Sequence, residues 1–440
     1  MSKKYHLQTY GCQMNEYDSN LIGQMLEDRG ADHTDSVENA DMVVVNTCSI
    51  RGKAEDTAYA RITQLKALKK KKPHMKIAVI GCMAQNHGEK IPAELDHVDF
   101  VLGPDNYAGV EKLLMPDTSP IIMPKEVKII TEFDELENYE GKKAKLSSPY
   151  STFITIQRGC NKRCSYCIVP FVRGNEKYRP IGEVLDEAKF AIDQGVKEIT
   201  LLGQTVNSYN FEGDTFASLL HKVSELNGLE RIRFTSPHPK HFTDDVIAIM
   251  KSQKNICRHT HFPLQSGSTE ILKKMRRQYD REKYIEISEK LRGIDPDFAI
   301  STDVIVGFVG EERHHFEETL SMMKQIKFDS AFMFAYSPRE GTKAFGEKET
   351  MTHETKIAWL QELIEVQNGI TFDQTKKMIG REEILLIEGP SHRNKDEFVG
   401  KTDCFKKVIL DAGANVQAGD MVKVRINDIS GWTLRGTKIN

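Results

Sequence analysis

Gly159-Cys160-Asn161-Lys162-Arg163-Cys164-Ser165-Tyr166-Cys167 places three cysteines in a C-x3-C-x2-C pattern directly after the apolar run Phe153-Ile154-Thr155-Ile156-Gln157. A β-branched run closed by glycine reads as a strand that ends in a tight loop. The three thiols are therefore expected on one loop at a strand's C-terminal end. Three thiolates so placed hold three irons of a cubane cluster and leave the fourth iron open to an outside ligand. Zinc is the competing reading, but a structural zinc takes four protein ligands, and no fourth cysteine or suitable histidine stands nearby.

Downstream, Glu198-Ile-Thr-Leu-Leu-Gly203, Arg231-Ile-Arg-Phe-Thr235, His259-Thr-His-Phe-Pro-Leu264, Phe298-Ala-Ile-Ser-Thr-Asp-Val-Ile-Val306 and Ala331-Phe-Met-Phe-Ala-Tyr336 alternate with helical patterns such as 182–195 and 279–292. Repeated βα units build a parallel sheet. About six of them predict a partial, open (β/α)6 barrel instead of a closed eight-fold one. S-adenosylmethionine is a fitting ligand for the open iron: its amino and carboxylate groups chelate, its sulfonium then accepts an electron, and homolysis yields a 5′-deoxyadenosyl radical. Tyr166 in the cysteine loop and Gly203, Gln204, Ser236, His238, Gln265 and Gly307 at the strand ends are the candidate cofactor-binding residues. Asn207, with Arg173 and Arg179 just after the cysteine loop, is a candidate substrate contact. For any one of these, a strand-ending turn or a surface salt bridge is the plainer reading; together they outline one ring.

The N-terminal segment repeats another pattern three times. Tyr5-His-Leu-Gln-Thr-Tyr-Gly-Cys12, Asp41-Met-Val-Val-Val-Asn-Thr-Cys48 and Lys76-Ile-Ala-Val-Ile-Gly-Cys82 each end an apolar run in a cysteine, with helical stretches such as 18–28 and 54–72 between them. Continuous Val/Ile runs alternating with helices predict a parallel sheet buried on both faces. The C-terminal ends of such strands line one crevice. Cys12, Cys48 and Cys82 are thus expected to meet there. A single buried cysteine is common, whereas three at one edge of one sheet read as a ligand set. Cys257 and Cys404 lack such a setting and read as packing residues.

The expected domains are residues 1–120, a linker over the polar and aperiodic stretch 121–145, a barrel core over 146–375 and a tail domain over 376–440. A helix over 353–378 leads into the tail, where Glu383-Ile-Leu-Leu-Ile-Glu388, Lys407-Val-Ile-Leu410 and Met421-Val-Lys-Val-Arg-Ile426 alternate between Gly and Asp turns. This pattern predicts a small β-barrel of the kind that binds RNA. The 440 residues carry 61 Lys and Arg against 64 Asp and Glu, so a general polyanion-binding coat is excluded. Residues 376–440 hold twelve basic against nine acidic residues, which leaves room for a local patch. The run Lys69-Lys70-Lys71-Lys72 ends a predicted helix, where cations favour the dipole. With no apolar stretch of membrane-spanning length and no apolar leader after Met1, the expectation is a cytoplasmic protein with no membrane partner. In that reducing compartment eight cysteines point to metal or cluster ligation and away from disulfides.

Thr9-Tyr-Gly-Cys-Gln-Met-Asn15, Asn46-Thr-Cys-Ser-Ile-Arg51, Gly81-Cys-Met-Ala-Gln85, Arg158-Gly-Cys-Asn161, Gly203-Gln204, Asn207-Ser-Tyr209 and Tyr336-Ser-Pro-Arg-Glu-Gly-Thr342 together resemble the radical S-adenosylmethionine methylthiotransferases. The resemblance is nearest to the tRNA-2-methylthio-N6-dimethylallyladenosine synthase branch (MiaB type), with Gln13-Met14-Asn15 as a short discriminator. It implies an N-terminal methylthiotransferase domain, a radical barrel and a C-terminal TRAM domain that binds tRNA. It also implies two [4Fe-4S] clusters, with Cys12, Cys48 and Cys82 ligating the auxiliary one. The implied reaction puts a methylthio group at C2 of N6-isopentenyladenosine next to the tRNA anticodon, one S-adenosylmethionine methylating a sulfur at the auxiliary cluster and a second making the radical. The chemistry agrees, because adenine C2–H is neither acidic nor attached to a leaving group. An unpaired anticodon-loop base also reaches a pocket without breaking a duplex. The partners so implied are an anticodon stem-loop carrying isopentenyladenosine and an electron donor such as flavodoxin or ferredoxin, with the chain a monomer. Rival readings are methylthiolation of threonylcarbamoyladenosine in tRNA or of a ribosomal protein aspartate, and a non-catalytic Fe-S RNA-binding redox sensor. Val309 departs from the family, which often has proline at this turn; a small change in turn rigidity is expected.

Overall fold

The structure, a computed structural model, describes residues 2–49, 52–108, 110, 127–135, 137, 139–411, 413 and 415–439. Ile50 and Arg51 of the second cysteine motif, and residues 121–126, 136 and 138 of the expected linker, lie outside the described residues. Six strands, β1 (Lys4–Tyr10), β2 (Asp32–His33), β3 (Met42–Thr47), β4 (Lys76–Gly81), β5 (Phe100–Leu102) and β6 (Lys128–Ile130), form one sheet in the order β2-β1-β3-β4-β5-β6. Every pairing in it is parallel. Each residue of β3 and β4 is buried, which is why both read as continuous apolar runs. Leu21, Leu26, Val44 and Ile80 pack on one face, and Ile62, Val43, Ile77 and Val79 on the other.

β6 falls inside the stretch expected to be a linker. Tyr139 lies in the same stretch, and its ring stacks on Tyr107 at 5.8 Å while its hydroxyl donates to the Pro104 carbonyl. The described part of this segment thus completes the first sheet and its core. Three strand residues among charged neighbours are too few to show a period.

The second unit has the expected six parallel strands: Ser151–Thr155, Glu198–Leu202, Arg231–Phe234, His259–His261, Ala299–Val306 and Ser330–Ala335. They form two three-stranded groups, joined by a parallel bridge between Ile232 and Ile256. The result is an open arc whose loops after the strands share one rim. The helix His353–Lys376 closes over the last strands: Trp359 stacks on Phe316 at 4.9 Å and Gln367 donates to the Phe328 carbonyl at 2.9 Å.

The tail is a closed five-stranded barrel of Glu382–Pro390, Phe398–Lys401, Lys407–Leu410, Met421–Ser430 and Thr433–Lys438. Closure leaves no strand edge to pair with another chain. Arg231 and Arg258, at the starts of their strands, hold it: Arg231 donates to the carbonyls of Lys401 and Ile384, and Arg258 clasps the Asp403 carboxylate at 2.6 and 2.8 Å. The tail therefore docks on the side of the barrel opposite the cysteine loop. Among the described residues no helix is long and apolar enough to cross a membrane.

Candidate active site

Strand register assembles the dispersed cysteines. Tyr10 of β1 pairs with Thr47 of β3, and Thr47 with Gly81 of β4, so Cys48 and Cys82 leave the sheet side by side and Cys12 follows one residue later on the neighbouring strand. Gly81 has φ +94, and a Cβ there would stand 2.5 Å from the Thr47 carbonyl, so this exit demands glycine. Cys12 caps the N-terminus of the helix Gln13–Asp28. Two buried asparagines pin that helix to the sheet. Asn15 donates to Asn46 Oδ1 at 2.9 Å and to the Thr47 carbonyl at 3.1 Å, and Asn46 returns a bond to the Asn15 carbonyl at 2.9 Å.

The second triad lies on one loop with its own staples. Gly159 has φ +71 and faces the Asn175 carbonyl where a Cβ would need to be. The Gln157 side chain donates to the Gly159 carbonyl at 2.6 Å and accepts from Thr205 N–H at 3.0 Å, which ties the loop to the turn after the second barrel strand. Ser165 donates through Oγ to the Lys274 carbonyl at 2.8 Å and through its backbone N–H to the Met275 carbonyl at 3.1 Å. Arg277 donates to Cys164 Sγ at 3.4 Å, and Thr205 Oγ1 lies 3.5 Å from Cys160 Sγ.

Burial pushes the Cys82 and Cys160 thiols up. Burial and the neighbouring Cys164 push Cys167 up to about 12. Metal binding at these cysteines displaces their protons. Among the described residues no three Cys, His, Asp or Glu side chains converge tightly enough to share a single metal ion. A cubane sets each thiolate on a different iron, so its ligands stand further apart.

Around the loop, the strand-end residues form the rim that barrel topology predicts. Ser236 and Gln265 hold φ of +58 and +67, strained values for residues with side chains that over-determined sites retain. Gly203 lies against Gln157 and Gly307 against Lys356, each closer than a Cβ allows. Gln204 Oε1 is buried without a hydrogen-bond partner among the described residues, a vacant acceptor suited to an ammonium group. Burial, with Arg277 nearby, lowers His238 to about 2, so it stays neutral. Tyr166 meets Phe308 edge-on at 6.4 Å. With three thiols, a glycine cradle and a free acceptor, the site fits a cubane with S-adenosylmethionine on its open iron.

The candidate substrate contacts stand elsewhere in the architecture. Asn207 is spent on the backbone of His238, donating to its carbonyl at 3.0 Å and accepting from its N–H at 2.8 Å. Arg179 is buried against Glu187 at 2.6 Å and donates to the Tyr17 hydroxyl at 3.2 Å, joining the barrel to the helix Gln13–Asp28 of the N-terminal unit. Arg173 is buried as well, between Asp18 at 2.9 Å and Cys82 Sγ at 3.2 Å. Sequence reading did not single out Asp18 or Arg277, and it quoted Gln157, Arg158 and Glu311 only as members of a strand run, a motif and a strand-end turn, because each acts through a fold contact with no local spacing to mark it.

An open six-stranded barrel with three cysteines on its first loop, beside a parallel sheet with three more, defines a radical S-adenosylmethionine enzyme with a cysteine-bearing accessory domain. Residues 4–103 match the Uncharacterized protein family UPF0004, residues 154–323 the Radical SAM superfamily and residues 376–439 the TRAM domain. A tRNA-2-methylthio-N(6)-dimethylallyladenosine synthase of Clostridium botulinum (strain Okra / Type B1) is 41% identical, the alignment covering 99% of this chain and 97% of the relative. One from Acetivibrio thermocellus is 39% identical over 99% and 91%. The chain belongs to the family of tRNA-2-methylthio-N(6)-dimethylallyladenosine synthases. Its fold is shared at low identity by the radical S-adenosylmethionine methyltransferase TsrM from Kitasatospora setae, with a TM-score of 0.57, 14% identity and coverage of 82% of this chain and 91% of that one. The cobalamin-dependent radical enzyme OxsB gives a TM-score of 0.53 at 12% identity, covering 83% and 56%.

Proposed function

We propose that this enzyme inserts a methylthio group at C2 of an N6-isopentenyladenosine beside the anticodon of tRNA, with one [4Fe-4S] cluster on Cys160, Cys164 and Cys167 and a second on Cys12, Cys48 and Cys82. The observation that carries the reading is the pair of cysteine triads, each gathered at strand C-terminal ends and bridged by Arg173, which follows one triad in sequence and touches the other in space. When bound, the barrel cluster and S-adenosylmethionine supply a carbon-centred radical, the reagent that an unactivated C2–H bond requires.

The protein's own residues hold this chemistry in place. Gln157 and Ser165 fix the cysteine loop to two neighbouring turns. Asn207 locks the turn after the second strand to the turn after the third. Gln204 Oε1 would accept from the amino group of S-adenosylmethionine, and neutral His238 would add no repulsion toward the sulfonium. The tail barrel presents the exposed ring of Trp432 and the exposed Lys423 and Arg425, a combination suited to stacking and phosphate contact with RNA. A reduced flavodoxin or ferredoxin supplies the electron, and the monomer acts in the cytoplasm. The isopentenyl branch is favoured over the threonylcarbamoyl and aspartate acceptors by the full-length relatives.

The test is an anaerobic assay of the reconstituted, reduced protein with S-adenosylmethionine and isopentenylated tRNA, read by mass spectrometry. 2-Methylthio-isopentenyladenosine with 5′-deoxyadenosine and S-adenosylhomocysteine is the expected outcome. 5′-Deoxyadenosine without a modified nucleoside overturns the acceptor; neither product from cluster-loaded protein overturns the reading in favour of a redox sensor.

A further inference from the structure

We propose that Arg173 is a positioning residue for the second cluster: from the barrel side it donates to the Cys82 sulfur and offers a further N–H to the sulfur atoms bound there. This rests on the proposed reading that Cys12, Cys48 and Cys82 hold a cluster. The helix Val169–Arg173 begins two residues after Cys167, and its Val172, with Ile168, packs directly on Cys82. Arg173 is 3% exposed, so an incoming tRNA or small carboxylate has no access to it. Its Nε–H points at Cys82 Sγ across 3.2 Å and its Nη2 donates to Asp18 Oδ2 at 2.9 Å. Its Nη1 is buried with no hydrogen-bond partner among the described residues.

Charge leads to the same assignment. The other Asp18 oxygen accepts from Arg158 Nη2 at 2.6 Å, and Asp18 is fully buried. One carboxylate therefore faces two guanidinium groups, and a surplus positive charge sits out of water beside Cys82. A buried, incompletely compensated cation calls for an anion. The thiolates with their cluster are that anion. A plain domain-joining salt bridge is satisfied by the Asp18 contact alone and does not account for the edge turned to Cys82. A donor on a ligand sulfur stabilises the more negative, reduced state and raises the potential. Because two edges of the planar fork are in use, lysine is not an equivalent.

The test uses the full chain with Cys160, Cys164 and Cys167 replaced by Ala, reconstituted anaerobically so that iron is bound at one site. Redox titration followed by EPR gives the midpoint potential, and pulsed EPR in H2O and D2O detects exchangeable protons coupled to the cluster. Arg173→Gln in this background is expected to keep its iron, shift the potential to more negative values and lose the coupled exchangeable proton. Arg173→Lys keeps the charge opposite Asp18; it is expected to shift less in the same direction and still lose that coupling, and it decides the matter if the glutamine variant does not fold. Unchanged potential and coupling in an iron-loaded variant overturn the role of Arg173. Absence of iron in the parent chain instead overturns the second-cluster reading itself.

Discussion

Cys160, Cys164 and Cys167 lie within eight residues of sequence, whereas Cys12, Cys48 and Cys82 span 71 residues and three strands. The compact triad depends on a loop whose staples, Gln157 and Ser165, reach the adjoining turns. The dispersed triad exists because β1, β3 and β4 are parallel neighbours in one register. A parallel sheet slipped by one residue sends every side chain to the opposite face, so the dispersed site is as secure as the sheet, while the loop site is as secure as a few local bonds. The two also differ in charge: Arg277 attends the loop triad and Arg173 the sheet triad, and the second is embedded in a buried network that spans both domains.

The largest expected effect separates the triads outright. Replacing Cys160, Cys164 and Cys167 by Ala is expected to abolish 5′-deoxyadenosine formation while iron remains bound, and replacing Cys12, Cys48 and Cys82 is expected to spare S-adenosylmethionine cleavage while eliminating the modified nucleoside. Iron analysis and product mass spectrometry check both, and loss of all iron in either variant breaks the comparison.

Next comes the shared network. Asp18→Asn leaves Arg158 and Arg173 buried without their carboxylate, and breaking such a pair destabilises by about 3–5 kcal/mol. The midpoint of urea denaturation, followed by circular dichroism, is expected to fall, with iron lost from the sheet triad before the loop triad. Equal loss from both would show that the loop also depends on the sheet.

A pH response belongs to the barrel side. Glu311 closes the turn after the fifth barrel strand by accepting from the backbone N–H groups of Gly307 and Phe308, and burial outweighs those bonds to push its carboxyl up to about 7. Because its folded value is raised, its contribution to stability is full below about pH 4.5, declines as the pH rises, and is gone above about 7, an effect on the order of 3 kcal/mol. Glu311→Gln is expected to flatten the fall in denaturation midpoint between pH 5 and 8, measured by thermal unfolding; an unchanged slope removes Glu311 as its source.

The smallest effect tests the rim. Asn207→Ala deletes two hydrogen bonds to His238, worth about 1 kcal/mol each, and is expected to raise the Kd for S-adenosylmethionine by about tenfold, measured by equilibrium dialysis, with iron content unchanged.

The sequence by itself determined the βα order, the six barrel strands and the small tail barrel, and it set both cysteine motifs at strand ends, because periodicity and strand-end position are local properties that topology converts into place. It could not show that β6 belongs to the first sheet, since three residues carry no period. Nor could it show what Arg173, Arg179 and Asn207 touch. Those three stood out as candidates for a substrate contact, and the tertiary structure engages them with Cys82 and Asp18, with Glu187, and with the His238 backbone. The physical reason is that a cation or an amide in a sequence has no partner until packing removes water and supplies one. Which groups meet is set by the docking of two domains, and no spacing within either records it.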